Sequence, residues 1–245
     1  MARRKNPISV ASRPSMDEDP VVKGILKAIS LKRIRPGTKL VADQLVEVFG
    51  SNRIHIRQVF EHLGSRNIIE LYPNRGAYVA QPTPDEARQV FTTRHVLERA
   101  AVSALIHNLD EPIRKTLTQH IEREHAHVEE DRWSTLTITG EFHGLIAQLT
   151  GNLVLARFID ELVLRTSLII ASFEAHGADD CSPDAHPAIV RHILDGNEPA
   201  AIAAMDNHLA SMQSRLRFDG PADTPDDIAS IFAGLGVKRP RRKAS

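Results

Sequence analysis

Apolar residues recur at helical spacing in three short segments near the start of the chain. The pattern predicts one helix over residues 21–32, a second over 42–49, and a third that begins after Asn52, a good N-cap residue. Pro36-Gly37 and Gly50 separate the three segments, as residues that break helices do.

Two runs of strand-forming residues follow these helices, at 68–72 and 77–80. Between them, Pro73-Asn74-Arg75-Gly76 is typical of a hairpin turn. Three helices followed by a hairpin predict a winged helix-turn-helix over residues 19–81.

The remaining apolar pattern is almost entirely helical. Thr83 can cap the first of six predicted helices, which together form an all-α bundle over residues 84–217. The six helices are expected near 84–108, 112–130, 134–149, 152–175, 184–195 and 198–217. The chain is therefore expected to be mainly α, with a mobile arm at 1–18 and a disordered basic tail at 218–245.

The charge is divided along the chain, although the formal net charge is zero. Residues 1–80 hold 14 Lys and Arg against 7 Asp and Glu, and residues 81–237 hold 12 against 24. Five further basic residues follow in the tail, within residues 238–243. This asymmetry is expected when only one half of a protein faces phosphates, although a chance distribution of solvated charges gives the same counts.

The composition indicates the cellular location in which the protein is expected to work. One cysteine, Cys181, excludes a disulfide within the chain, and a reduced cytoplasm is the expected location. We find no apolar run of membrane-spanning length and no signal peptide, so no membrane partner is expected.

The third helix carries the residues expected to read DNA. Arg53 and Arg57 are four residues apart and share the face opposite the apolar stripe, and His55 lies near them. Arginine can donate two hydrogen bonds to a guanine from the first turns of a recognition helix. Arg75 at the hairpin tip is placed to contact the minor groove or a phosphate, and Arg35 and Lys39 to contact phosphates.

This half of the sequence resembles the GntR family of bacterial regulators. Four pieces carry the resemblance in order: Pro36-Gly37-Thr38-Lys39-Leu40, residues 45–50, the recognition segment 52–60 and the wing 73–79. Ile54 and His55 replace the usual Thr-Pro pair of the family's recognition helix.

The second half is similar to the FCD domain of the FadR-type branch. The resemblance rests on Arg94-His95-Val96-Leu97-Glu98, on Glu141-Phe142-His143 with residues 149–152, and on His186 with His208. It implies a regulator, not an enzyme, that binds an operator with two half-sites as a homodimer. It also implies a small carboxylate effector that either releases or strengthens DNA binding.

In many FCD domains a metal lies at the centre of the bundle, and the resemblance implies His143, His186 and His208 as its ligands here. Neutral imidazoles suit divalent ions of the zinc or nickel class. Thr139 occupies the position of the family's aspartate, one helical turn before His143. Three outcomes stay open: a metal completed by water and an effector, a polar pocket without metal, or unrelated histidines.

Arg94 and Thr139 are the residues expected to face the effector. The guanidinium group of Arg94 suits a carboxylate, and its alternative role is an i,i+4 ion pair with Glu98. The sequence leaves two alternative functions open. One is a regulator for which the metal itself is the signal, and the other is a metal-dependent bundle enzyme, for which Glu122-x-x-His125 provides only one of the two motifs needed.

Overall fold

The structure, a computed structural model, describes residues 16–127, 132–174, 184–218, 231–232 and 235. Its helices are α1 (Pro20–Ser30), α2 (Ala42–Phe49), α3 (Arg53–Ser65), α4 (Pro84–His107), α5 (Glu111–His127), α6 (Arg132–Leu149), α7 (Leu153–Phe173), α8 (Ala185–Leu194) and α9 (Glu198–Ser214). Its strands are β1 (Lys39–Leu40), β2 (Ile69–Tyr72) and β3 (Gly76–Val79). The prediction of a mainly helical fold with a small wing is confirmed.

Side-chain caps define the start of α1 and of α3. The carboxylate of Asp19 accepts a hydrogen bond from the backbone N–H of Val21 at 2.8 Å, and Asn52 accepts one from the N–H of His55 at 2.9 Å. Each cap satisfies an N–H group that the first turn of a helix leaves without a partner. The prediction that Asn52 caps the third helix is therefore confirmed.

The wing is a three-stranded antiparallel sheet in the order β1-β3-β2. In the β2–β3 hairpin, Ile69 lies opposite Val79 and Tyr72 opposite Gly76. Asn74 and Gly76 adopt positive φ angles of 61° and 103°, which allow the chain to reverse direction tightly. Strand β1 was not predicted from periodicity, because two residues are too few to show alternation.

Among the six later helices α4 is central, and it contacts α6, α7, α8 and α9. The Thr83 hydroxyl caps α4 by accepting a hydrogen bond from the N–H of Glu86 at 3.1 Å. The inward faces of these helices form an aliphatic core that includes Phe91, Leu105 and Phe142, each fully buried. No helix within the described ranges is long and apolar enough to cross a membrane.

The two halves of the chain are joined through α1 and α7. Leu168 of α7 is buried in the same apolar cluster as the winged helix-turn-helix core. At the C-terminal end of α7, the Lys32 ammonium donates a hydrogen bond to the Glu174 carbonyl at 2.7 Å, and Arg215 Nε donates to Glu174 Oε1 at 2.9 Å. Glu174 therefore links the turn after α1 to the ends of α7 and α9.

Both predicted flexible ends contain ordered residues. Met16–Glu18 form a 3-10 turn, and the Asp17 carboxylate pairs with His62 and Arg66 of the winged helix-turn-helix. In the predicted disordered tail, Phe232 is fully buried against the N-terminal core and stacks edge-on with Phe49 at 5.0 Å between ring centroids. At these positions the side chains of Asp17 and Phe232 contact the folded N-terminal domain.

Candidate metal centre and nucleic-acid interface

Three buried histidines from three helices meet at the centre of the bundle. His143 lies on α6, His186 in the first turn of α8 and His208 on α9. The Nε2 atom of His208 lies 3.2 Å from Nε2 of His186 and 3.3 Å from Nε2 of His143. Each residue offers a ligand atom, these atoms all lie within 4.8 Å of one another, and each histidine is at most 5% exposed.

The far side of two of these rings is held by carboxylates. His143 Nδ1 lies 2.6 Å from Glu98 Oε2, and His186 Nδ1 lies 2.9 Å from Glu124 Oε1. An ionised carboxylate only accepts hydrogen bonds, so each Nδ1 carries the proton and donates it. The Nε2 lone pairs of His143 and His186 therefore both point toward His208.

The protonation states fit this arrangement. Burial alone would raise the pKa of Glu98, but Arg94 and His143 outweigh burial and hold that pKa at about 2. Burial lowers the pKa of His143 to about 4, against the opposing attraction of Glu98, and it lowers the pKa of His208 well below the usual value. At neutral pH the imidazoles of His143 and His208 are therefore neutral, and the Glu98 carboxylate is ionised.

This donor set could hold a cation at its centre. A proton on His208 Nε2 can satisfy only one of the two lone pairs that face it, whereas a metal ion can accept all three nitrogens. Zinc–histidine bonds of about 2.0–2.1 Å in a tetrahedron place neighbouring nitrogens about 3.3 Å apart. The two Nε2 separations match that spacing, so the residues fit a divalent ion.

Further side chains support the three ligands. Phe142 stacks on the His186 ring with a centroid separation of 3.9 Å. His120, buried on α5, lies 3.1 Å from the Glu124 carboxylate that holds His186. From the sequence, Glu98 was predicted only as the alternative partner of Arg94, and Glu124 was not predicted to support His186. The only available signal was that each is a carboxylate inside an amphipathic helix.

Arg94 lies beside this centre and is fully buried. Its Nε donates to Glu98 Oε1 at 2.6 Å and its Nη1 to the Thr166 hydroxyl at 3.2 Å. Its Nη2 has no hydrogen-bond partner among the described residues, so the predicted ion pair with Glu98 forms and one buried donor is left over. Thr139 is half-buried on α6, one turn before His143.

The predicted DNA-reading residues lie on or next to α3, and their side chains differ in exposure. Arg53 and Arg57 are 77% and 82% exposed, and each forms a surface ion pair within the same domain. The His55 side chain is 30% exposed and its Nε2 lies 3.0 Å from the Asp19 carboxylate that caps α1. The two arginines are thus available to a duplex, whereas His55 also fixes α1 against α3.

The other predicted contacts surround the wing. Arg75 is exposed in the hairpin turn with its guanidinium 5.7 Å from the centroid of the Tyr72 ring. Lys39 is exposed on β1, with its ammonium 5.8 Å from the centroid of the Tyr78 ring. Arg35 is half-buried, next to the turn that leads into β1. Exposed cations on a wing can contact phosphates without reading sequence.

Comparisons with known proteins relate the helical part of the chain to a known domain family. Residues 89–211 match the FCD domain family. The fold is similar to that of E. coli McbR/YncC, with a TM-score of 0.66 and 16% identity, covering 79% of this chain and 93% of that one. It is equally similar to a transcriptional regulator GntR from Rhodococcus sp. RHA1, with a TM-score of 0.66 and 22% identity, covering 80% of this chain and 97% of that one. No curated protein matches the sequence.

Proposed function

Because the chain belongs to the FCD domain family, and its fold is shared with GntR-type regulators, we propose that it is a DNA-binding transcription regulator controlled by a small carboxylate. The observation that carries the proposal is the pairing of two parts in one chain. One is a winged helix-turn-helix with exposed Arg53 and Arg57, and the other is a helical domain with a buried polar centre.

His143, His186 and His208 would hold a divalent ion of the zinc or nickel class in this centre. Such an ion supplies a Lewis-acidic positive charge that attracts an anionic ligand. None of the three ligands is negatively charged, and of the two carboxylates behind them Glu98 also neutralises Arg94. Part of the charge of the ion would therefore be left for an effector to balance. Arg94 offers its free Nη2 donor for the same anion, and Thr139 supplies a hydroxyl one turn from His143.

Effector binding can reach the DNA-reading half through two helices. The Thr166 hydroxyl that accepts from Arg94 lies on α7, and His208 lies on α9. Helix α7 ends at Phe173, next to Glu174, and Arg215 at the end of α9 binds the Glu174 carboxylate. Glu174 also binds Lys32 of the N-terminal domain. An effector that favours one arrangement of α7 and α9 would therefore shift the population of DNA-binding conformations.

We propose that the protein acts as a homodimer on an operator with two half-sites. Support comes from the start of α7, where Leu153, Val154 and Phe158 are 71%, 64% and 57% exposed. Neighbouring large apolar side chains exposed on one helix are typical of an interface. Light scattering of Phe158→Glu should report a monomer where the parent chain is a dimer. A dimeric variant would exclude this face.

The function is tested by selecting duplexes from a random-sequence library with the purified chain. Arg53→Ala and Arg57→Ala should each weaken binding of the selected duplex by about 1–3 kcal/mol, roughly 5- to 150-fold. Lys115→Ala removes an exposed cation from α5 and serves as the matched control. Failure to enrich any sequence, or unchanged affinity in both arginine variants, would contradict the proposal.

The effector is tested on the same duplex with a panel of small carboxylates, with and without added zinc or nickel. A carboxylate that changes DNA affinity in the parent chain but not in Arg94→Lys would support the proposed role of the guanidinium. The convergence of three Nε2 atoms also favours a second candidate, a regulator that senses the ion alone. In that case metal without any carboxylate would change the affinity for DNA.

A further inference from the structure

Ile54 is the most exposed large apolar side chain among the described residues. It is 74% exposed, whereas Ile56 and Val59 of the same helix are fully buried. Neither of the two apolar clusters that form the described core includes it. A single exposed apolar residue is common at protein surfaces and requires no explanation by itself. Any role for Ile54 therefore depends on where α3 places it.

Ile54 lies in the first turn of α3, on the same outward side as the two arginines. Successive residues of a helix are about 100° apart around the axis, so Ile54 is about 60° from Arg57 and about 100° from Arg53. Both arginines are exposed. His55, which follows Ile54, instead directs Nε2 to the Asp19 carboxylate at 3.0 Å. Arg53 and Ile54 are therefore the side chains at the start of α3 that face away from the domain.

An isoleucine on this side of the helix matches one feature of a DNA duplex. The major groove presents hydrogen-bond donors and acceptors on the base edges, together with the apolar C5-methyl group of thymine. The Ile54 side chain has no donor or acceptor, so its contact with a phosphate or a polar base edge would remove water from that group without replacing the hydrogen bonds. Contact with a thymine methyl group instead removes two apolar surfaces from water. Among the four bases, the side chain therefore favours thymine.

The arginines indicate where that thymine lies. Ile54 is adjacent to Arg53 and three residues before Arg57, a rise of about 4.5 Å along the helix axis. Bases stack about 3.4 Å apart along one strand, and an arginine can donate two hydrogen bonds to a guanine. A guanine that either arginine contacts and a thymine that Ile54 contacts should therefore lie within about two base pairs of each other.

We propose that Ile54 is a specificity-determining residue, which contacts the C5-methyl group of a thymine beside a guanine contacted by Arg53 or Arg57. The inference rests on the proposed DNA-binding function and names part of the base sequence that this function recognises. A second protein molecule is the competing partner, because an exposed apolar side chain can also be buried in a protein interface. The two partners can be separated by measurement, since only the contact with a duplex depends on a methyl group of the DNA.

The experiment measures how tightly the full chain binds its selected duplex when single methyl groups are removed from the DNA. Deoxyuridine replaces each thymidine of the site in turn, which removes the C5-methyl group and keeps the base pair. Burial of one methyl or methylene group corresponds to about a 4-fold change in affinity. At one thymine of each half-site, deoxyuridine should therefore weaken binding of the parent chain by about 4-fold in fluorescence anisotropy.

Ile54→Ala removes the proposed partner of the methyl group, and the exposure of Ile54 means that the fold should be unchanged. This variant should bind the thymine duplex at least about 4-fold more weakly than the parent chain. Deoxyuridine at the same position should then cause no further loss, as expected when one contact has already been removed. Val96→Ala, which removes a side chain that is 62% exposed on α4, is the matched control and should keep the parental affinity and the parental response to deoxyuridine.

A selected site without thymine, or parental binding that is insensitive to deoxyuridine at every thymine, would overturn the proposal. Equal sensitivity to deoxyuridine in the parent chain and in Ile54→Ala would also overturn it, because another residue would then contact the methyl group. A loss of affinity in Ile54→Ala that accompanies a change of oligomeric state in light scattering would assign Ile54 to a protein interface instead. A parent chain that enriches no duplex would contradict the proposed function itself, and this inference would fall with it.

Discussion

Glu98→Gln tests the chemistry of the central site most directly. The Glu98 carboxylate accepts hydrogen bonds from both Arg94 Nε and His143 Nδ1 at 2.6 Å, and its side chain is 2% exposed. Glutamine has the same shape but only one acceptor oxygen. Either Arg94 or His143 would then face an amide N–H, and the buried guanidinium would lose its counter-charge.

The expected loss of folding stability in Glu98→Gln can be worked out from the same contacts. The pKa of Glu98 is held at about 2 against a usual 4.5, and each unit corresponds to about 1.4 kcal/mol. The ionised form therefore stabilises the fold by roughly 3 kcal/mol above pH 4.5, and this contribution is lost as the pH falls toward 2. Removing one partner of a buried ion pair costs about 3–5 kcal/mol, so we expect a loss of that order.

The variant should also bind metal less well. A ligating histidine needs its Nδ1 proton directed at an acceptor, and loss of such a partner typically weakens metal binding by about 10- to 100-fold. Urea unfolding at pH 7 without metal measures the loss of stability. A calorimetric titration with zinc measures the loss of metal affinity. Glu122→Gln, which neutralises an exposed carboxylate on α5, is the matched control. A Glu98→Gln protein with parental stability and parental zinc affinity would refute the reasoning.

For three further substitutions, the structure indicates whether the measured property should rise or fall. Thr139→Asp should raise zinc affinity by adding a carboxylate one turn from His143, and an unchanged titration would show that position 139 faces elsewhere. Asp160→Asn should stabilise the protein at neutral pH, because burial, opposed by Arg66, raises the pKa of Asp160 and makes its ionised form unfavourable. The stability gap in urea unfolding should narrow as the pH falls toward the pKa of Asp160, and a constant gap would exclude this cause. Lys32→Met should reduce the effect of metal or carboxylate on DNA affinity, since the buried cation would no longer hold Glu174, while a full effect in fluorescence anisotropy would show another route.

The helices were predictable because their apolar faces follow a regular period. Predicted and observed bounds of α2 and of the bundle helices agree to within a few residues, as at 84–108 against Pro84–His107. Phe232 could not be predicted in this way, because one buried ring among Asp, Pro and Gly residues has no period. Its burial depends on the space beside Phe49, which exists only after α1 and α2 have packed.

At the central site, too, some contacts could be predicted from helical periodicity and others could not. Helical spacing could place Arg94 and Glu98 on one face, but it could not show that the second oxygen of Glu98 meets His143, 45 residues away. It also could not show that His55 would pair with Asp19, because that contact depends on how α1 crosses α3. In each case the missing information is the packing of one helix on another.

The position of the site on its helices bears on how a small ion could affect a distant DNA surface. His208 and Arg215 are seven residues apart, about 10 Å along a helix and nearly on the same face. A rotation of α9 that brings His208 onto an ion would therefore move Arg215 in the same sense. Arg215 binds Glu174, and Glu174 binds Lys32 in a contact where both charged side chains are at most 9% exposed. Buried ion pairs tolerate displacement poorly, because separating the charges costs several kcal/mol. We therefore expect a movement at His208 to be transmitted to the N-terminal domain rather than absorbed at its boundary.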